Sequence, residues 1–275
     1  MSTTRSPAPR APAISGEGPA PGDWRDAALI LLAHGSAATT AGPPAIARHA
    51  DALTKRRLFA EIHLAYLHGT PNLSDTLARI TSPTAYLVPF FMSAGHTVRQ
   101  ALAAPARAGG SGPRLRCCRP AGTHPDLAAI VAARVDAERR ARDLTAANIT
   151  VILVGHGSPN DPASAEATRQ CAARLTALGG YGAVCCAFLD QDPRPDAALA
   201  AAPPRAATIV VGLFADNGLH AEADMRRLLG LDPRADRRDD DDVIYTGAIG
   251  PDPACVDLIL DRVRDQNGPA HTGDA

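Results

Sequence analysis

Apolar residues fall along this chain in short dense runs, separated by longer stretches in which they recur every three or four positions. Dense runs lie at 27–33, 59–67, 84–90 and 114–118, each followed by a polar break and then an amphipathic stretch, at 44–56, 73–80, 98–105 and 125–140. The same order returns at 149–155, 183–189, 207–214 and 243–246, with helical spacing at 163–178, 195–202, 221–229 and 252–264. A run of four to eight apolar residues bounded by turn residues marks a strand buried on both faces, and 3.6-residue spacing marks a helix packed on one. Strands alternating with helices predict right-handed βαβ units, and hence an α/β fold with parallel sheets of the flavodoxin- or Rossmann-like kind.

The two series are one pattern written twice. ILLAHGS (30–36) and ILVGHGS (152–158) place His34 and His156 at 156 − 34 = 122 residues apart. YLHGTPNLSDTL (66–77) aligns with FLDQDPRPDAAL (188–199) at the same offset, setting His68 opposite Asp190. VPFFMSAGH (88–96) aligns with VGLFADNGLH (211–220) at 123, and AGTHPDLAAIVAARV (121–135) with IGPDPACVDLILDRV (249–263) at 128. The extra residues fall in the charged stretch DPRADRRDDDD. Four matches in one order define an internal duplication. The expected organisation is a tail at 1–25, an N-terminal α/β domain at 26–145, a C-terminal one at 146–266, and a second tail at 267–275, with the helix-like ERRARDLTAAN (138–148) as joint.

Composition narrows the partners. The net charge is −1, which gives no field to attract nucleic acid or an anionic membrane. No apolar run approaches the roughly 20 residues that span a bilayer, and the Pro-, Ala- and Gly-rich first residues have no signal-peptide core. Six cysteines, two pairs of neighbours and two singles without any CxxC, read as small buried hydrophobes in a reducing cytoplasm. The absence of GxxxxGK[ST] implies no nucleotide. DDDD at 239–242 reads as a solvated charge run.

In open parallel sheets ligands bind beyond the carboxyl ends of the strands. His34 and His156 follow the first strand of each half, His68 and Asp190 the second, and His96 and His220 the third. Each half thus aims three possible ligands at one rim, and imidazole with carboxylate suits borderline divalent ions such as Co²⁺, Fe²⁺, Ni²⁺ and Zn²⁺. Gly35 and Gly157 permit a sharp turn with positive φ, and Ser36 and Ser158 can cap the next helix or contact a ligand. His49 on a helix and His63 within a strand read as structural.

These residues resemble the class II tetrapyrrole chelatases of the CbiX type, the sirohydrochlorin cobaltochelatases and ferrochelatases. The likeness rests on strand-HGS at 152–158, FLDQDP at 188–193 and LFADNGLHAEAD at 213–224, and it covers about 27–264. It implies two chelatase-like halves around one cleft, a pseudo-dimer within a monomer. It implies an ATP-independent enzyme that inserts a divalent metal, Co²⁺ or Fe²⁺ (Ni²⁺ or Zn²⁺ in vitro), into sirohydrochlorin or a related tetrapyrrole. His156 and His220 are the expected catalytic pair, ligating metal with Asp190. His34, His96 and His68 form a second metal set, and Ser158, Ser36, Arg169 and Asp224 contact substrate. The first half departs from the pattern: His96 comes one residue early, Thr97 stands where the second half has His220, and Ala101 lies where an acid equivalent to Asp224 is expected. Two rivals are a histidine phosphatase and a non-enzymatic metal or tetrapyrrole carrier. Ala33 and Gly155 before the histidines remove the phosphate-holding arginine and count against the first.

Overall fold

The structure is a computed structural model that describes residues 24–35, 44–96, 98–101, 112–231 and 243–266, with backbone alone at 219–221. The first half comprises β1 (Ala27–Gly35), α1 (Pro44–Arg56), β2 (Glu61–His68), α2 (Leu73–Leu77), β3 (Thr84–Pro89), β4 (Arg114–Cys117) and α3 (Leu127–Arg140). The second comprises β5 (Ile149–Gly155), α4 (Pro162–Leu178), β6 (Ala183–Phe188), α5 (Pro195–Ala201), β7 (Ala207–Gly212), α6 (Leu219–Leu228), β8 (Val243–Ala248) and α7 (Cys255–Asp265). Each half folds into a four-stranded parallel sheet, in the orders β2-β1-β3-β4 and β6-β5-β7-β8. The α/β class and its two repeats are as the pattern predicts.

Strand alternation assigns the two faces of each sheet. Leu29 and Leu31 of β1, and Val151 and Leu153 of β5, turn to one face and join a single apolar cluster with Leu53 of α1, Val131 and Val135 of α3, and Ile259 and Val263 of α7. Ile30 and Leu32, or Ile152 and Val154, turn the other way into smaller clusters belonging to one half each. The largest core therefore runs through both halves.

Polar contacts across the halves repeat about a pseudo-two-fold axis. Arg134 of α3 donates to the Ala248 carbonyl at 2.7 Å, and Arg262 of α7 donates to the Pro120 carbonyl at 3.2 Å. These are duplicated pairs, since 134 + 128 = 262 and 120 + 128 = 248. Arg262 is only 4% exposed and also donates to Thr123 Oγ1 and pairs with Asp265. His49 is buried and donates from Nε2 to the Gly250 carbonyl at 2.8 Å, which makes it a structural residue, and burial lowers its pKa.

Two boundaries differ from the pattern. The helix expected over 73–80 ends at Leu77, because Glu61 Oε1 accepts from the backbone and hydroxyl groups of both Thr81 and Ser82 and pulls the chain out of helical register. Burial alone would raise the Glu61 carboxyl, but those donors and His63 bring it down to about 2. The joint at 138–148 is not one helix. α3 stops at Arg140, Asp143 takes a left-handed φ of 54°, and Leu144 turns back against the core.

Candidate functional site at the carboxyl rim

β1 and β5 end in the same device. Gly35 and Gly157 both adopt φ +70°. A Cβ on Gly157 would lie 2.6 Å from Gln191 Cγ and 2.8 Å from Phe188 Cβ, and one on Gly35 would collide with the His68 carbonyl. Only glycine fits where the chain folds over the neighbouring strand end, and the turn leaves each preceding histidine at the rim.

His34 and His156 line one cavity of about 180 Å³ between the halves, with Met92 and Ser93 of the first half and Ser164 and Phe214 of the second. The His156 ring packs edge-on against Phe214 at 4.9 Å between centroids. His156 keeps accessible surface, but that surface faces the cavity. Desolvation there is the main reason its pKa lies below the usual 6.5; the Asp190 carboxylate opposes the shift and the His34 charge adds to it. The imidazole is thus held neutral, with a lone pair for a metal or a proton. His34 donates from Nδ1 to the Gly35 carbonyl at 3.0 Å, which leaves its Nε2 lone pair free.

The other expected ligands are distributed unevenly. His68 lies beside His34 at 4.9 Å between ring centroids, with the rings tilted 58° to each other. Asp190 follows β6, and its backbone N–H donates to the His156 carbonyl at 2.8 Å. His96 is exposed at the rim, outside the residues lining the cavity. His220 lies in the first turn of α6, and its side chain is outside the described residues, as are Ser36 and Thr97. Ser158 does not cap α4: its Oγ accepts from Asn160 N–H, and Asp161 caps the helix through Ala163 N–H. Arg169 is exposed and lies over the Phe188 ring, and Asp224 pairs with Arg227 on the exposed face of α6. Neither lines the cavity, because helical periodicity turns both outward.

Sequence reasoning missed Gln191, whose Oε1 accepts from Ser158 N–H at 2.8 Å and braces the HGS turn. It also missed Asp161 and Asp216, which reach across to the first half. The Asp-Pro at 161–162 was a readable N-cap signal, but nothing in sequence marks its second partner.

Two other features carry less. A hollow of about 670 Å³ bordered by Asp196, Arg205 and Arg227 lies at the amino ends of β7 and β8, opposite the histidine rim. His124, Asp126 and Asp261 bring three ligand atoms within 4.8 Å. Arg264 already pairs with Asp261, and the Arg262 charge repels a cation at His124, so the group reads as part of the interface between halves.

Fold and site together define a duplicated α/β protein with one histidine-bearing cleft between its halves. The chain belongs to the CbiX family, whose model matches residues 28–138 and again 150–266. It is 26% identical, over 279 residues, to a Halobacterium salinarum protein named a probable sirohydrochlorin cobaltochelatase, covering 90% of this chain and 94% of that one. A structure of CbiX, described as the terminal enzyme for biosynthesis of siroheme in denitrifying bacteria, matches with a TM-score of 0.64 at 22% identity, over 86% of this chain and 98% of that one. A multi-domain protein of Deinococcus radiodurans with structural similarity to chelatases matches with a TM-score of 0.70 at 21% identity, over 88% of this chain. The chain spans only 56% of that protein, which has two additional domains.

Proposed function

We propose that this protein is a sirohydrochlorin chelatase that inserts Co²⁺ or Fe²⁺ without a nucleotide. The observation that carries the reading is one histidine from each half on a single cavity, with His156 held neutral. Family membership and the named Halobacterium relative support it. The substrate ion is held by imidazole nitrogens, His156 with His220 as the principal pair and His34, His68 and His96 opposite. Asp190 ligates or orients from the strand end beside His156. Metallation releases two pyrrole protons: a neutral imidazole accepts one as its nitrogen gives up the metal to the ring, and the other passes to a second rim base or to water. The cavity is smaller than the roughly 300–1,000 Å³ of whole-ligand sites, so the ring lies across its mouth with its centre over the histidines. Ser158 faces the same rim. Ni²⁺ and Zn²⁺ enter in vitro by the same ligand chemistry. Six free cysteines suit a cytoplasmic setting, and the internal duplication supplies in one chain the two walls a dimer would otherwise provide.

The test is sirohydrochlorin absorbance followed under multiple turnover with each metal. Catalytic turnover supports the enzyme; one equivalent bound with no turnover makes the protein a carrier.

A further inference from the structure

Two carboxylates at the carboxyl rim of the second half reach the first: one joins two loops that carry candidate ligands, and the other joins such a loop to the first turn of α1. Asp161 lies five residues after His156 and caps α4 through Oδ1, at 3.2 Å from Ala163 N. Its Oδ2 accepts from the backbone N–H of His96 at 2.5 Å and from Arg99 at 3.2 Å. Asp216 lies on the loop between β7 and α6, which leads to His220. Its Oδ1 accepts from Asn217 N–H, and its Oδ2 accepts from Ala45 N–H at 2.8 Å, in the first turn of α1 beyond His34. The bridges are therefore crossed: the His156 loop is tied to the His96 loop, and the loop before α6 to the first turn of α1, the helix next in sequence after His34.

The duplication shows that the bridges are not part of the repeat. Asp161 aligns with Thr39 (161 − 122 = 39) and Asp216 with Ser93 (216 − 123 = 93), so both acids belong to one half only. A carboxylate accepting N–H groups at a helix start is charge-assisted and directional, so it fixes spacing more firmly than apolar packing between the same loops.

We propose that Asp161 and Asp216 are positioning residues that set the separation of metal-binding side chains across the cleft, with the second half as the template for the first. This rests on the reading of the cleft as a metal site. The bridges hold rim loops and not the apolar core, and asparagine can still cap α4, so their loss weakens metal binding before it weakens folding.

The test uses the full chain carrying Asp161→Asn or Asp216→Asn, which keep shape and remove charge. Amide exchange should quicken at 96–101 in the first variant and at 44–48 in the second, with little change in thermal midpoint. Equilibrium Co²⁺ binding without tetrapyrrole should weaken about ten-fold in each, the usual effect of losing a group that orients a ligand. The Asp161→Asn penalty should vanish in a His96→Ala background, and the Asp216→Asn penalty in a His34→Ala background. Unchanged exchange, wild-type Co²⁺ affinity, or penalties that persist in those backgrounds would overturn the proposal. A chain that shows the expected binding losses yet inserts no metal refutes the chelatase reading and leaves the bridges standing.

Discussion

At His156 the controlling quantity is the cost of charging an imidazole inside the cavity. Its pKa lies below 6.5, chiefly through desolvation, with Asp190 pulling it up and His34 pushing it down. Titration followed by histidine NMR should give a midpoint below 6.5, and Asp190→Asn should lower it further; a midpoint at or above 6.5 contradicts the account. The sign for stability follows. The unfolded chain takes up this proton first, so the stability linked to His156 is complete above 6.5 and declines as pH falls from there to the folded pKa. The turn behind His156 is as constrained. Gly157→Ala must hold φ +70° with a Cβ and displace Gln191 and Phe188, and urea unfolding should show a loss of about 2 kcal/mol. The glycine turn and the rim histidines were legible because HGS follows an apolar run in both repeats. Gln191 was not: its counterpart is Gly69 (191 − 122 = 69), and a bond between loops 33 residues apart leaves no periodic trace.

Among the elements, the strands and most helices follow from apolar spacing, and their order follows from the repeat. The ends that differ are set by partners distant in sequence: Glu61 gathers Thr81 and Ser82, and Leu144 returns to the core. The reciprocal arginines are of the same kind. Both look like ordinary helix-surface charges in sequence, yet each caps a strand-end loop of the other half. Arg262, at 4% side-chain exposure, is sealed more fully than Arg134 at 18%. Arg262→Met removes a buried charged donor from the Pro120 carbonyl and the Thr123 hydroxyl, which keep only their bond to each other, and unpairs Asp265; it should cost about 2 kcal/mol in chemical denaturation. Arg134→Met should cost less, because Arg134 itself is more exposed and water reaches the Asp252 carboxylate it leaves. Equal losses would mean that burial does not distinguish the two contacts.

Over the whole molecule, duplication and fold class could be read from sequence, but the depth of the interface could not, since apolar spacing shows that a helix is covered and not by which half. The common cluster of β1, β5, α1, α3 and α7 gives each half an apolar face that only the other covers. Fragments 1–145 and 146–275, co-expressed, should assemble one to one, and each alone should aggregate; two independently monomeric, cooperatively folding halves would contradict a shared core. The central claim is that this shared cleft performs metal insertion through its histidines. It is tested most directly by the multiple-turnover rate of Co²⁺ insertion into sirohydrochlorin for the wild type, His156→Ala/His220→Ala, and His63→Ala as a histidine away from the rim. The account predicts sustained turnover in the wild type and His63→Ala, and a loss of about a hundred-fold or more in the double variant. Full turnover in the double variant would contradict it.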